Sequence, residues 1–345
     1  MDPPDGKPVS IRDIAKAAGV SITTVSHALS GKRQVTDRTR RRVLEAAERL
    51  GYRANAQARA LRMGRSLTIA IQIAGGDDEV ALPDVAYFID LLNGASSEAL
   101  RHGYALVLAP PSASPEQVGN LQVDGAIVVD PTGAEASLTQ PGMHVVTTGR
   151  VPPHLPDRPW VDNDFKAGAI RVLEHVRQAG YERPALLATS APQSYVADAV
   201  EGYKEWCGDH GLPPLVARTT GPPNETTAAD VALELLTRKD RPDAIHATLE
   251  RLAVGVVIAA ERLGIAIPEE LGVTAGTDAP SLESFRPAVT ALYLDGERIG
   301  LEAARLLIEL IDGDASGRRN VVVDTELRVR SSTRRVGAAA LRRRA

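Results

Sequence analysis

The chain has 345 residues, 43% of them hydrophobic, 24% charged and only 3% aromatic, with a formal net charge of −4. That length exceeds one ordinary core and calls for two or three domains, whose interiors must be mostly aliphatic. No apolar run approaches the ~18 residues a membrane-spanning helix needs, residues 1–8 are polar and Pro-rich unlike a secretory signal, and Cys207 as sole cysteine excludes an intrachain disulfide or a multi-cysteine zinc site. The expected location is therefore the cytoplasm. The charge is unevenly spread. Residues 1–65 hold 14 Lys/Arg against 6 Asp/Glu, a surplus of eight that leaves −12 for the rest. A basic head on an acidic body fits a nucleic-acid binder with an unrelated second domain, and equally a solvated basic helix face.

In chain order, Ser10 precedes Ile11-Arg12-Asp13, so Ser10 and Asp13 can form a capping box. Ile11, Ile14, Ala15 and Ala18 then share one helical face, and Gly19 stops the helix. Ser21 caps a second helix with Val25, Ala28 and Leu29 inward. Thr36 caps a third, with Val43, Ala46, Ala47 and Leu50 inward and Gly51 at its end. Residues 55–62 have helix formers but almost no apolar face, so a helix there is marginal alone.

From Ser66 the pattern becomes alternating strands and helices. Strands are expected at 67–73, 104–109, 125–129, 145–147, 184–189, 216–219, 243–248, 271–275, 320–324 and 327–329. Helices are expected at 85–101, 165–179, 196–209, 226–238, 252–263 and 296–311. Apolar strands separated by helices imply parallel sheets covered on both faces. The number of units predicts two doubly wound lobes. The stretch Ser112–Val123 is too short for the usual helix before Asp124-Gly125. Residues 334–345 are an Ala/Arg tail expected to be disordered.

The run Ile11 to Leu29 carries the most information. Ala15 is small where two helices cross, Gly19 takes a turn conformation other residues resist, and Val20 and Val25 fill the interhelical space. The second helix can then enter a major groove, about 12 Å wide, and present Ile22, Thr23, Ser26 and His27. A plain three-helix packing module remains the alternative.

The stretch Ile11 to Arg62 resembles the DNA-binding headpiece of the LacI/GalR family of bacterial repressors. The matching residues are the helix-turn-helix above, Val35-Thr-Asp-Arg-Thr-Arg40, Leu50-Gly-Tyr-Arg-Ala-Asn55 and Ala58-Arg-Ala-Leu-Arg62. The run Thr23-Thr-Val-Ser-His27 is similar to the purine-repressor type of recognition helix. The resemblance implies a fold of a small all-α headpiece (8–53), a hinge helix or linker (54–65), and an α/β periplasmic-binding-protein-like domain (66–333) of two doubly wound parallel-sheet lobes. The lobes are expected at about 66–161 with 290–318, and about 162–289 with 319–333, with crossovers near Asp162, Val289 and Arg318. It implies operator contacts from Ser10, Ser21, Ile22, Thr23, Thr24, Ser26, His27, Arg33, Asn55, Ala58 and Arg62. Leu61 is implied as a minor-groove wedge, the alternative being a linker residue packed on the second domain.

Good anchors for the second domain are Tyr87-Phe88, Asp124-Gly-Ala-Ile-Val, Val161-Asp-Asn-Asp and Gly276-Thr-Asp278. Tyr87, Phe88 and Asp278 are the implied effector contacts, with Arg150, Gln193 and Glu250 as further candidates. Phe88 could instead be core and Asp278 a turn cap. The sequence departs from the family pattern where Ala199 replaces an Arg, Leu249-Glu250 replaces Asn-Asp, and Pro222-Pro223 replaces an aromatic. A lost Arg removes a strong anchor for hydroxyl-rich or anionic ligands. The resemblance thus implies a dimeric operator-binding repressor controlled by a small-molecule effector, a sugar or other metabolite, with no cofactor or metal and no membrane partner. Two other classes compete: an exported solute-binding protein and an enzyme using the cleft. No phosphate-cradling loop, metal-ligand cluster or nucleophile–base pair supports the latter.

Overall fold

The computed structural model describes residues 9–29, 35–52, 64–74, 85–221, 223–313 and 320–335. Its internal contacts separate two units, residues 1–66 and 67–345.

The first unit contains α1 (Ile11–Ala18), α2 (Ile22–Leu29) and α3 (Asp37–Arg49). Local chemistry explains each boundary. The Ser10 N–H and hydroxyl donate to the Asp13 carboxylate at 2.9 and 2.7 Å, which holds that carboxyl below its usual range. Gly19 ends α1 at φ +60°, where a Cβ would be strained. The Ser21 hydroxyl accepts from the Thr24 N–H at 3.0 Å and so caps α2. The Thr36 hydroxyl accepts from the Thr39 N–H at 3.4 Å and caps α3. Ile14, Val25 and Val43 are fully buried, surrounded by Ala15, Ala18, Ala28, Ala46 and Ala47. These are the faces that the sequence periodicity turns inward.

The second unit runs β1 (Thr68–Ile73), α4 (Val85–Arg101), β2 (Ala105–Ala109), α5 (Pro115–Asn120), β3 (Gly125–Val129), α6 (Ala136–Thr139), β4 (His144–Thr148) and β5 (Trp160–Asn163). It continues through α7 (Phe165–Gln178), β6 (Pro184–Thr189), α8 (Ser194–Asp209), β7 (Val216–Thr219), α9 (Glu225–Leu236), β8 (Ala244–Ala247) and α10 (Glu250–Leu263). Then come β9 (Gly272–Ala275), α11 (Pro280–Ser284), β10 (Thr290–Tyr293), α12 (Gly296–Asp312), β11 (Asn320–Val323) and β12 (Glu326–Arg328). Two sheets of six strands result, in the orders β11-β5-β4-β3-β1-β2 and β12-β10-β9-β8-β6-β7. Every described pairing is parallel except β10 with β12. The second sheet is covered on both faces. Leu187, Ile245 and Val273 pack toward α9 and α10, while Leu186 and Ala188 pack toward Trp206 and Cys207 of α8.

In the first lobe α4 and α12 cross at backbone contact. A Cβ at Gly300 would sit 1.9 Å from the Leu91 carbonyl oxygen, and one at Gly94 would sit 1.9 Å from that of Glu297. Any larger residue at either position must push the helices apart.

Four expectations need correction. The stretch read as too short for a helix contains α5, closed by a reciprocal Ser114–Gln117 capping box. Strands β5 and β10 are absent from the expected set and complete the two sheets. The lobe limits placed at 290 and 319 also move. Residues 290–293 pair with β9 in the second sheet, and 320–323 pair with β5 in the first. The crossovers therefore follow β5, β10 and β11. Finally, the tail read as starting at Arg334 starts later. Arg334 donates to the Val329 carbonyl, and Arg335 donates to that of Gly180 while stacking over Tyr181 at 3.9 Å. The remaining tail residues, 336–345, and most of the expected hinge segment lie outside the described residues.

Candidate DNA-reading helix and ligand cleft

Helix α2 sits on the three-helix core through Val25 and Ala28 and leaves its N-terminal turn outside. Ser21, Ile22 and Thr23 are exposed, and Thr24, Ser26 and His27 are half-buried. The Thr24 hydroxyl is hydrogen-bonded to that of Ser21 at 2.8 Å, so it braces the cap while remaining on the outer turn. Ile22 keeps 46% of its surface exposed, an apolar group available to a base methyl. Ser10 lies at the start of α1, with its hydroxyl donated to Asp13. Arg12 and Lys16 of α1 and Arg38, Arg41 and Arg42 of α3 are exposed cations of the kind that meet phosphates. Arg33, Asn55, Ala58, Leu61 and Arg62 fall outside the described residues.

In the second unit a narrow cleft opens between the two sheets. Its walls come from the carboxyl ends of strands: Asp130 after β3, Thr148 of β4, Asp162 of β5, Leu249 after β8, Thr277 after β9 and Leu294 after β10. Helix N-terminal turns add Tyr87 and Phe88 from α4, Phe165 from α7 and Tyr195 from α8. Parallel α/β sheets place ligand sites at this end because the connections there are free of sheet packing. The ring of Tyr87 meets Phe88 edge-on at 5.7 Å, and Phe165 meets Tyr195 at 5.6 Å. One aromatic pair therefore stands on each wall.

Asp162 is 6% exposed. Burial pushes its carboxyl up to about 7, against the pull of Arg150 and the Asn163 N–H. Its Oδ1 accepts from the Asn163 N–H at 2.8 Å, and its Oδ2 accepts from the Ser194 hydroxyl at 3.3 Å. Ser194 in turn accepts from the Arg150 N–H at 3.0 Å. The Arg150 guanidinium pairs with Asp198 of α8 and lies 3.9 Å from Asp162. This chain of bonds clasps the loop after β4 in the first lobe to the first turns of α8 in the second.

The sequence-derived effector candidates divide. Tyr87 and Phe88 line the cleft, though Phe88 is 4% exposed and doubles as core. Asp278 lines an adjoining recess that shares Tyr87, Thr277 and Leu294 with the first. Both its oxygens already accept from arginines: Oδ1 from Arg330 at 2.7 Å, Oδ2 from Arg328 at 3.1 Å and Arg330 at 2.8 Å. The expected carboxylate open to an effector is thus committed to a bidentate ion pair inside the second lobe. Arg150, Gln193 and Glu250 are not among the lining residues. Arg150 forms the clasp, and Glu250 accepts from the Ser281 hydroxyl at 2.6 Å. Gln193 precedes α8, with its side-chain oxygen buried and unbonded. Sequence reasoning missed Asp130, Thr148, Phe165 and Tyr195 as cleft residues. Their position just after predicted strands, or at predicted helix starts, was the available signal.

Among the described residues no group of His, Cys, Asp or Glu could hold a metal ion, and no helix is long and apolar enough to cross a membrane.

Comparison with known proteins adds the following. Residues 10–55 match the family described as bacterial regulatory proteins, lacI family. Residues 173–333 match a periplasmic binding protein-like domain. The chain is 26% identical to the HTH-type transcriptional repressor PurR of Mannheimia succiniciproducens, covering 95% of this chain and 99% of that one. It is also 26% identical to catabolite control protein A of Staphylococcus epidermidis, covering 94% and 99%. Among solved structures it superposes on the lac repressor dimer bound to operator and the anti-inducer ONPF, with TM-score 0.73 at 22% identity, covering 95% and 99%. A complex of the transcriptional regulator CelR with cellobiose gives 0.70 at 24% identity, covering 94% and 99%. Both structures share the fold of this chain.

Proposed function

The chain belongs to the LacI family of bacterial regulatory proteins, and from that premise we propose that it is a cytoplasmic repressor that binds a pseudo-palindromic operator as a homodimer under control of a small-molecule effector. It is a DNA-binding regulator and not an enzyme, as its curated relatives are. The observation that carries the finer reading is helix α2. Its N-terminal turn is capped, with Ser21, Ile22 and Thr23 exposed and Thr24 half-buried, while its other face is anchored in a core of its own. Such a helix presents side chains to a major groove, and two copies related by a twofold axis read two half-sites. Thr23, Thr24 and His27 take the base edges, with Ser10, Ser21, Ile22, Ser26 and Arg33 beside them. Asn55, Ala58 and Arg62 accompany Leu61, which wedges into the central minor groove and kinks it.

Control requires a ligand that binds two lobe arrangements unequally, since equal binding shifts nothing. The Arg150–Asp198 clasp and the Ser194 relay cross between the lobes, so a change in lobe arrangement would have to remake them. The similarly folded regulator CelR was solved with cellobiose; the lining of this chain's cleft points to a ligand of another class.

A gel shift of promoter fragments against the purified chain tests the reading. Retention of a discrete fragment in excess competitor DNA, weakening steeply with salt, is the expected result. Equal retention of all fragments rejects it.

A further inference from the structure

We propose that the interlobe cleft takes an organic cation, a substituted ammonium or amidinium, in an aromatic cage closed by two carboxylates. This rests on the reading of the cleft as the effector site and names the chemical class of its ligand. The chain is poor in aromatics, with three Phe in all. Two of them, Phe88 and Phe165, line this one cleft, together with Tyr87 and Tyr195. They form two ring pairs on opposite walls. Ring faces carry negative charge density and attract cations, most strongly where water is excluded.

The polar lining has the matching sign. Asp130 and Asp162 both face the cleft, and no Lys, Arg or His is among the described lining residues. Arg150, 3.9 Å from Asp162 and without a hydrogen bond to it, is engaged by Asp198. Burial makes the Asp162 carboxylate costly to ionise in the empty cleft, the condition that an incoming positive charge relieves. Thr148 is 3% exposed, lines the cleft, and its hydroxyl has no hydrogen-bond partner. It is an acceptor and donor held ready for a ligand polar group. A neutral polyol would meet a poor complement here. Sugar hydroxyls are anchored by Asn and Gln carboxamides, which both donate and accept, and by Arg, which donates. None lines this cleft among the described residues, and Leu249 adds an apolar surface instead.

The test uses the full chain, calorimetry and thermal shift, at fixed chloride concentration. The probes are choline and its uncharged analogue in which carbon replaces the nitrogen, with glucose and cellobiose as neutral sugars. Choline is expected to bind at least about tenfold more tightly than the carbon analogue, a preference of about 1.4 kcal/mol. Asp162→Asn should cut that preference several-fold, and Tyr195→Leu should weaken choline about tenfold. Both variants are first checked for cooperative unfolding. Equal binding of choline and its analogue, preference for either sugar, or no binding by choline overturns the cation assignment. The gel shift of the unliganded chain is independent of these outcomes, so a failed cation assignment leaves operator recognition to be judged separately.

Discussion

Replacing Asp162 with Asn should make the protein's stability less sensitive to alkali. Asp162 is 6% exposed, and its carboxyl is pushed up to about 7 from 3.8, chiefly by burial. Asp198 adds repulsion, while Arg150, the Asn163 N–H and Ser194 oppose the rise. In the unfolded chain the group ionises near its ordinary value. Between the two values the folded state therefore binds a proton that the unfolded state lacks. Stability from this group is complete below the lower value and is lost as pH rises through about 7. From about pH 5.5 to about pH 8.5 only the part below the folded value counts, roughly 1.5 pH units at 1.36 kcal/mol each, or about 2 kcal/mol. His246 works the other way. Its burial holds it neutral down to about 4, so its contribution falls as pH drops below the ordinary imidazole range. The difference between wild type and Asp162→Asn cancels that background. Urea unfolding of both proteins at each pH is the assay, and the variant's advantage should grow by about 2 kcal/mol across the range. Parallel curves would mean that Asp162 is hydrated in the empty cleft, and the burial argument would fail.

Other consequences follow from single contacts. Gly300→Ala places a methyl 1.9 Å from the Leu91 carbonyl and should cost at least about 1–3 kcal/mol, seen as a drop in Tm; an unchanged Tm would show that α4 and α12 can separate freely. Ser21→Ala removes the α2 cap and should cost about 1 kcal/mol of headpiece stability, with operator affinity falling alongside. Hydrogen exchange at the Thr24 amide reports it, and unaltered protection would deny Ser21 the capping role. Leu61→Ala should remove DNA bending, at a saving of a few kcal/mol of unstacking energy, while the dimer persists. A bend angle equal to wild type by circular-permutation gel analysis would dismiss the wedge.

Local chemistry was the most legible layer. Ser10, Gly19, Ser21 and Thr36 mark helix boundaries through groups within three or four residues of each other, so the headpiece could be drawn from the sequence. The capping box at Ser114–Gln117 belongs to the same class, a local start signal that holds a helix even in a short stretch. Which sheet a short strand joins is a different matter. Residues 290–293 and 320–323 look alike as apolar runs, and only pairing with distant strands assigns them. The cleft shows the same limit. Tyr87 and Phe88 could be named by resemblance, but Asp130, Asp162, Phe165 and Tyr195 converge only through the topology of two sheets. Asp278 is the sharpest case. The resemblance implies an effector contact there, with a turn cap as the alternative, and nothing near it in sequence announces that Arg328 and Arg330 will hold both oxygens.

The central claim is that α2 reads bases twice across a symmetric site. Selection of the full chain on a randomised DNA duplex library, followed by affinity measurement on the winners and their single-pair variants, addresses it most directly. The account predicts an inverted repeat, each mismatched pair costing about 1–3 kcal/mol, with His27→Ala abolishing discrimination at one position in each half-site. Enrichment of no motif, or of a single unrepeated element indifferent to His27, would contradict it.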